Sequence, residues 1–104
     1  MRTELISRRD DFVIRRAILE PGEATPWHVD PCHRFSVVVR GDALMLEFRD
    51  SGETLDVDVW PGQAGWDAPE SRVHRAVNTG SQPFEEVVTF HLPTPGTDPQ
   101  PEFG

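Results

Sequence analysis

The chain contains no lysine, no tyrosine and only one cysteine among its 104 residues. One thiol excludes an intramolecular disulfide framework and favours a reducing, cytoplasmic setting. The lack of lysine excludes Schiff-base chemistry. Long apolar runs are also absent, and the first residues lack the apolar segment of a signal peptide. We therefore expect a cytoplasmic protein with no membrane span.

Positive charge is scarce, and all of it comes from arginine. Ten cationic residues face 18 acidic ones, which gives a formal net charge of -8. This balance argues against nucleic acid as a partner, because a phosphate backbone requires clustered cations. Half of the arginines lie near the N-terminus, where we interpret them as a solvated or dimer-facing arm: Arg2, Arg8, Arg9, Arg15 and Arg16.

Apolar residues alternate with polar ones along most of the chain, and no segment has sustained helical periodicity. Phe12, Ile14 and Ile18 share one face of such a segment, as do Phe35, Val37 and Val39 of another. Turn signals rich in Gly and Pro separate the segments at short intervals. The pattern predicts an all-β protein of many short strands, arranged as a sandwich or barrel.

The predicted barrel occupies residues 1–92 as one domain, and residues 1–11 form its N-terminal arm. Residues 93–104 are rich in proline and nearly devoid of apolar side chains. A segment of this composition buries too little apolar surface to order itself. We therefore predict a flexible C-terminal tail.

Two polar segments resemble the two conserved motifs of cupins. In the first, Gly22 precedes His28 by six positions and Gly41 closes the motif. In the second, Pro69 and His74 lie where the family places a Pro and a metal-binding His, and Asn78 follows His74 at the family spacing. The resemblance extends over residues 14–92. It implies a small double-stranded antiparallel β-helix, the jelly-roll or cupin barrel, which commonly forms homodimers.

The chain departs from the cupin pattern at two of the positions that bind metal in the family. Asp30 replaces the second His, and Arg34 replaces the Glu. Only His28 and His74 therefore correspond to family ligands, and metal binding requires a separate argument. His28 and Asp30 are two residues apart and project from the same face of a strand. Together with His74 they form a set of two imidazoles and one carboxylate, which is the ligand set of the facial triad.

We predict that His28, Asp30 and His74 bind a divalent transition metal, and the ligand types leave Fe, Zn, Ni and Mn open. Arg34 has two interpretations: it binds a substrate carboxylate, or it pairs with Asp30 in a site without metal. His33 is a substitute ligand if the loop bulges. Trp27, next to His28, is expected to line the pocket.

The sequence thus predicts a small cupin with a metal-supported pocket for a small organic molecule, such as a carboxylate. As an enzyme it would be a dioxygenase-like oxidoreductase, or a lyase or isomerase, with no catalytic residue assigned. The alternative is a binding or sensing cupin that holds a small molecule without metal. Asn78, the only asparagine, is interpreted as shaping the turn that follows it.

Overall fold

The computed structural model describes residues 1–104 as ten β-strands and no helix. No segment therefore forms a helix able to cross a membrane. The strands are β1 (Arg2–Arg9), β2 (Phe12–Leu19), β3 (Trp27–Asp30), β4 (His33–Arg40), β5 (Ala43–Phe48), β6 (Thr54–Asp58), β7 (Ala64–Asp67), β8 (Glu70–Val77), β9 (Phe84–His91) and β10 (Glu102–Phe103).

The strands form two antiparallel sheets of five strands each. The first sheet has the order β1-β2-β9-β4-β7, and the second sheet has the order β10-β3-β8-β5-β6. Strands distant in sequence pair in both sheets, so the chain crosses repeatedly from one sheet to the other. This arrangement confirms the predicted double-stranded antiparallel β-helix.

The β4–β5 turn depends on Gly41. Its φ of 140° lies in a region that side chains rarely adopt. A Cβ at this position would lie 2.8 Å from Cδ2 of Phe84, which belongs to the core. Both the conformation and the close approach therefore require glycine here.

Two small apolar clusters form the core between the sheets. One contains Val13, Cys32, Val88, Phe90 and Leu92, and the other contains Leu19, Val38, Val59 and Phe84. Burial, and secondarily the charge of Asp30, raises the pKa of the Cys32 thiol. Cys32 is consequently a packing residue rather than a nucleophile.

The first sheet carries much of its apolar surface on the outside. The residues that the alternation assigns to common faces do share them, but Phe12, Val37 and Val39 are 45%, 36% and 44% exposed. The opposite face of the same strands points into the barrel and includes Arg15, Arg34 and Ser36. The interior is therefore partly polar because the first sheet turns its polar face inward.

Both ends of the chain pair with a sheet. Strand β1 lies at the edge of the first sheet beside β2, with all of its residues exposed. In the C-terminal segment, β10 pairs with β3, and Pro99 is fully buried. Proline holds the backbone extended without needing hydrogen bonds of its own, so this segment can follow β3 despite its composition. Its flexibility stays a prediction.

We expect Asn78→Ala to lower the free energy of unfolding by about 2–4 kcal/mol, because it leaves buried carbonyl groups unpaired. The Asn78 amide donates to the carbonyls of Leu19 at 3.0 Å and Gln82 at 2.8 Å, and its oxygen accepts from Gly80 N–H at 2.9 Å. Urea unfolding measures the change. The neighbouring Thr79→Ala, on an exposed side chain, should change it by less than about 0.5 kcal/mol. Equal stabilities of the two variants would contradict this role.

Candidate functional site

The predicted ligands meet on the inner face of the second sheet. His28 of β3 lies directly opposite His74 of β8 in the antiparallel pairing. Along β3 the side chains alternate, so His28 and Asp30 point inward and both are buried. The structure therefore brings together the three residues that the sequence predicts as ligands, which we call the His–Asp cluster (His28, Asp30 and His74).

The cluster is compact and its carboxylate is central. His74 Nε2 lies 2.8 Å from Asp30 Oδ2, and His28 Nε2 lies 3.6 Å from Asp30 Oδ1. One nitrogen or oxygen from each residue can be chosen so that all three lie within 4.8 Å of one another. These atoms can surround one small cation.

Backbone carbonyls orient both imidazoles. His28 Nδ1–H donates to the carbonyl of Pro26, and His74 Nδ1–H donates to that of Arg72, each at 2.8 Å. Because a carbonyl only accepts, both Nδ1 atoms carry hydrogen, and Nε2 is the atom directed into the cluster. A histidine that binds metal through one nitrogen and donates with the other is the usual arrangement in metalloproteins. The donor set therefore fits a transition metal.

Electrostatics within the cluster couple Asp30 to His74. Burial raises the pKa of Asp30, but the hydrogen bond from His74 and the charge of Arg34 outweigh burial and hold that pKa below its usual range. The same hydrogen bond raises the pKa of His74, against the opposing effect of burial. Without a cation, this hydrogen bond therefore favours a protonated His74 paired with an ionised Asp30.

Arg34 points into the barrel and contacts the cluster. Its Nη2 lies 3.3 Å from Asp30 Oδ2, and its Nη1 donates to the carbonyl of Ala68 at 3.3 Å. Arg34 is thus the ion-pair partner of Asp30 that one of the two interpretations anticipated. It also lines the cavity, so its remaining N–H donors stay available to a ligand.

A cavity of about 380 Å³ lies between the sheets and includes the His–Asp cluster. Aliphatic residues of the second sheet and the β6–β7 connection form an apolar wall: Leu44, Leu46, Val57 and Val59. The first sheet contributes polar side chains, among them Arg15, Arg34, Ser36 and Glu86. The volume and the mixed walls suit a small organic molecule.

Glu86 is a site residue that the sequence prediction missed. Protein surrounds its carboxyl, but the cavity reaches it, and no hydrogen bond or ion pair to another side chain is present. Burial raises its pKa to about 7, against the effect of Arg34. The alternation along β9 contains the signal for this position, because Glu86 shares a face with the buried Val88 and Phe90.

Two predicted pocket residues lie outside the cavity. Trp27 points away from His28 on β3 and packs on the outer side of the second sheet, where the guanidinium of Arg75 lies 4.4 Å from its ring. The expectation that Trp27 lines the pocket is therefore wrong, since neighbours on a strand face opposite ways. His33 is exposed on the outer side of β4, opposite His91 on β9, and is not positioned as a substitute ligand.

We expect Glu86→Gln to stabilise the protein, and to do so more strongly as pH rises. A carboxyl with a raised pKa binds its proton more tightly in the folded than in the unfolded state, so stability falls between pH 4.5 and about 7. Gln does not ionise, so the variant does not undergo this loss of stability as pH rises. The gain in free energy of unfolding over wild type should be about 2 kcal/mol larger at about pH 8 than at about pH 5.

Glu85→Gln is the matched control for this measurement. Glu85 lies on the outer face, where Arg16 and Arg40 contact its two oxygens at 2.6 and 2.9 Å, and these contacts lower its pKa. Its replacement should destabilise the protein at about pH 8, the opposite sign. A Glu86→Gln effect that does not change with pH in urea unfolding would contradict a protonated Glu86.

No protein-family model matches the chain, and no curated protein sequence matches it. Solved structures do match. A cupin domain from Bordetella pertussis is 18% identical with a TM-score of 0.73, over 85% of this chain and 88% of that one. A double-stranded β-helix protein from Klebsiella pneumoniae is 23% identical with a TM-score of 0.67, over 96% and 81%.

A polyketide cyclase from Streptomyces resistomycificus is 22% identical with a TM-score of 0.67, over 98% of this chain and 70% of the cyclase. At such identities the likeness concerns the fold, and activities do not transfer with it. The two sheets, their crossing connections and these structural matches agree. This chain is a small protein of the cupin fold.

Proposed function

We propose that the protein binds a divalent transition metal through His28, Asp30 and His74 and uses it to act on a small organic acid in the adjoining cavity. The observation that carries this proposal is the convergence of two Nε2 atoms and one carboxylate oxygen at the cavity wall. A metal bound there would supply a Lewis acid to the ligand's carbonyl or carboxylate oxygen. Fe, Zn, Ni and Mn all suit this donor set.

The chain's own residues would then bind and orient the organic acid. Arg34 lies beside the cluster and keeps donors free for a carboxylate, which a guanidinium can bind through two parallel hydrogen bonds. The aliphatic wall opposite would pack against the rest of the ligand. Lyase and oxygenase reactions on a small carboxylate are both compatible with this arrangement.

Proteins of the same fold support an enzymatic role. The similar structures include the polyketide cyclase and an oxalate oxidase solved in complex with glycolate, which is 22% identical with a TM-score of 0.60. That match extends over 83% of this chain and 44% of the oxidase. Glycolate is a small carboxylate, the ligand class that the cavity suits.

A second candidate is a binding protein that holds its ligand without metal. It is favoured by the completeness of the charge network, since Asp30 is neutralised by His74 and Arg34 and no fully buried polar side-chain atom lacks a hydrogen-bond partner. In that protein the same cavity would recognise the organic acid through hydrogen bonds alone.

Metal analysis distinguishes the two candidates. Protein purified without chelator and reconstituted with Fe, Zn, Ni or Mn should hold about one equivalent of metal, because three protein ligands fix one ion. Asp30→Ala and His74→Ala should each reduce this to less than about a tenth of an equivalent, because two remaining ligands bind weakly. The quantity to measure is metal per chain by elemental analysis.

His91→Ala is the control, since His91 is an exposed histidine on the outer face that pairs with Asp11. It should leave the metal content unchanged. Wild-type protein that stays below about a tenth of an equivalent after reconstitution would overturn the metal site and favour the second candidate.

A further inference from the structure

Two charged side chains on the neighbouring strands β2 and β9 line the cavity and take no part in the His–Asp cluster. They are Arg15 of β2 and Glu86 of β9. Their immediate neighbours, Arg16 and Glu85, form an ion pair at 2.6 Å on the outer face of the same sheet. Alternation along the strands thus places the ion pair of Arg16 and Glu85 outside the barrel and the side chains of Arg15 and Glu86 inside it.

The inner pair of residues has no partner within the protein. Neither Arg15 nor Glu86 has a side-chain hydrogen bond or ion pair in the described structure, which comprises the whole chain. No fully buried polar side-chain atom is left without a hydrogen bond, so the polar atoms of both must reach the cavity. Polar groups held there without protein partners are available to a ligand.

The strand pairing places the two side chains within reach of one ligand. Arg15 lies opposite Val88, and Glu86 lies opposite Ala17, which makes them diagonal neighbours on one face. Such positions are about 7–8 Å apart, and long side chains can meet over that distance. A small anion between them would contact both.

The charges around the cavity act on the ionisation of Glu86. The positive charge of Arg34 on β4 lowers the pKa of Glu86. The negative charges of Asp67 on β7 and Asp30 on β3 raise it and so oppose its ionisation. The other titratable residues that line the cavity are His28, His74, Glu102 and Met1, whose amino group pairs with Glu23. The facing wall from β5 and β6 is aliphatic.

We propose that Arg15 and Glu86 form a second binding site in the cavity for a carboxylate of the ligand, with Arg15 as the cation and protonated Glu86 as a hydrogen-bond donor. The inference rests on the proposed function, in which the cavity holds an organic acid. It names the residues that would bind a carboxylate group of that acid at a distance from the metal. An ionised Glu86 would repel the carboxylate. Binding therefore takes up a proton when Glu86 starts ionised.

Binding of formate and oxalate to metal-free protein tests this site by isothermal titration calorimetry. Both anions stay ionised at about pH 6 and about pH 8, either side of the pKa of about 7 of Glu86. If only protonated Glu86 binds, wild-type affinity should be about tenfold higher at pH 6 than at pH 8. At about pH 7, titrations in buffers of different ionisation enthalpy should show proton uptake.

Variants separate the two roles. Glu86→Gln keeps a hydrogen-bond donor and should bind with nearly equal affinity at both pH values. Arg15→Gln should lose about tenfold or more at both pH values and keep the pH ratio, because it removes the cation. Glu85→Gln and Arg16→Gln, the outer neighbours, should bind like wild type.

Three results would overturn the site. They are no measurable binding of either anion, unchanged affinity in Arg15→Gln, and a pH ratio retained in Glu86→Gln, which would assign the pH effect to His74 instead. Metal content should be unaffected in Arg15→Gln and Glu86→Gln. A failure of metal binding in wild type, with these anion results intact, would reject the metal and leave the carboxylate site standing.

Discussion

The carboxylate of Asp30 contacts side chains from three strands and from the C-terminal segment. Its neighbours are His28 on β3, His74 on β8, Arg34 on β4, and Gln100, whose amide donates to Oδ1 at 3.3 Å. A buried charge must be neutralised and hydrogen-bonded, or it destabilises the fold by several kcal/mol. Both sheets and the end of the chain thus converge on one group, and the position of each ligand depends on it.

The same convergence is compatible with both proposed functions, the one with a metal and the one without. The carboxylate has two oxygens, and each already has two neighbours. A divalent cation in place of the His74 proton would raise the charge of the site by one, and Arg34 could stay on the same oxygen. Because the backbone carbonyls fix Nδ1 of both histidines, the rings need not turn for either state.

The interior of the barrel is partly polar, and apolar side chains lie on its outer surface instead. The first sheet points Arg15, Arg34 and Glu86 inward and leaves several large apolar side chains in contact with solvent in the single chain. A small barrel has one inner face per strand, so residues that form a site there displace apolar ones. The modest size of the two core clusters follows from this.

The sequence predicts part of the site, because its patterns report on residues that are close together along the chain and not on the pairing of distant strands. The spacing of His28 and Asp30 establishes a common face locally, and the predicted cluster was confirmed as a geometric unit. The meeting with His74 depends on pairing between β3 and β8, which only the resemblance to cupins anticipated. The metal itself stays a prediction.

Other parts of the site escaped because alternation shows which residues share a face and not which face is inside. Glu86 shares a face of β9 with Phe84, Val88 and Phe90, and this signal was not used to separate it from Glu85. Trp27 was assigned by nearness in sequence to His28, although neighbours on a strand point apart. The orientation of Arg34 required the conformation around Pro31, which no local pattern supplies.

The paired arrangement of charges on β2 and β9 limits how the gene can change. Arg15 and Arg16 are the same residue type on opposite faces of β2, and Glu85 and Glu86 are the same type on opposite faces of β9. Their surroundings therefore depend on their positions along the strands. Loss or gain of a single codon between the Asn78 turn and Glu85 would exchange the inner and outer carboxylates without altering the composition of the strand. A substitution in these strands changes one side chain, whereas a single-residue insertion or deletion exchanges the barrel's inner and outer surfaces along a whole strand.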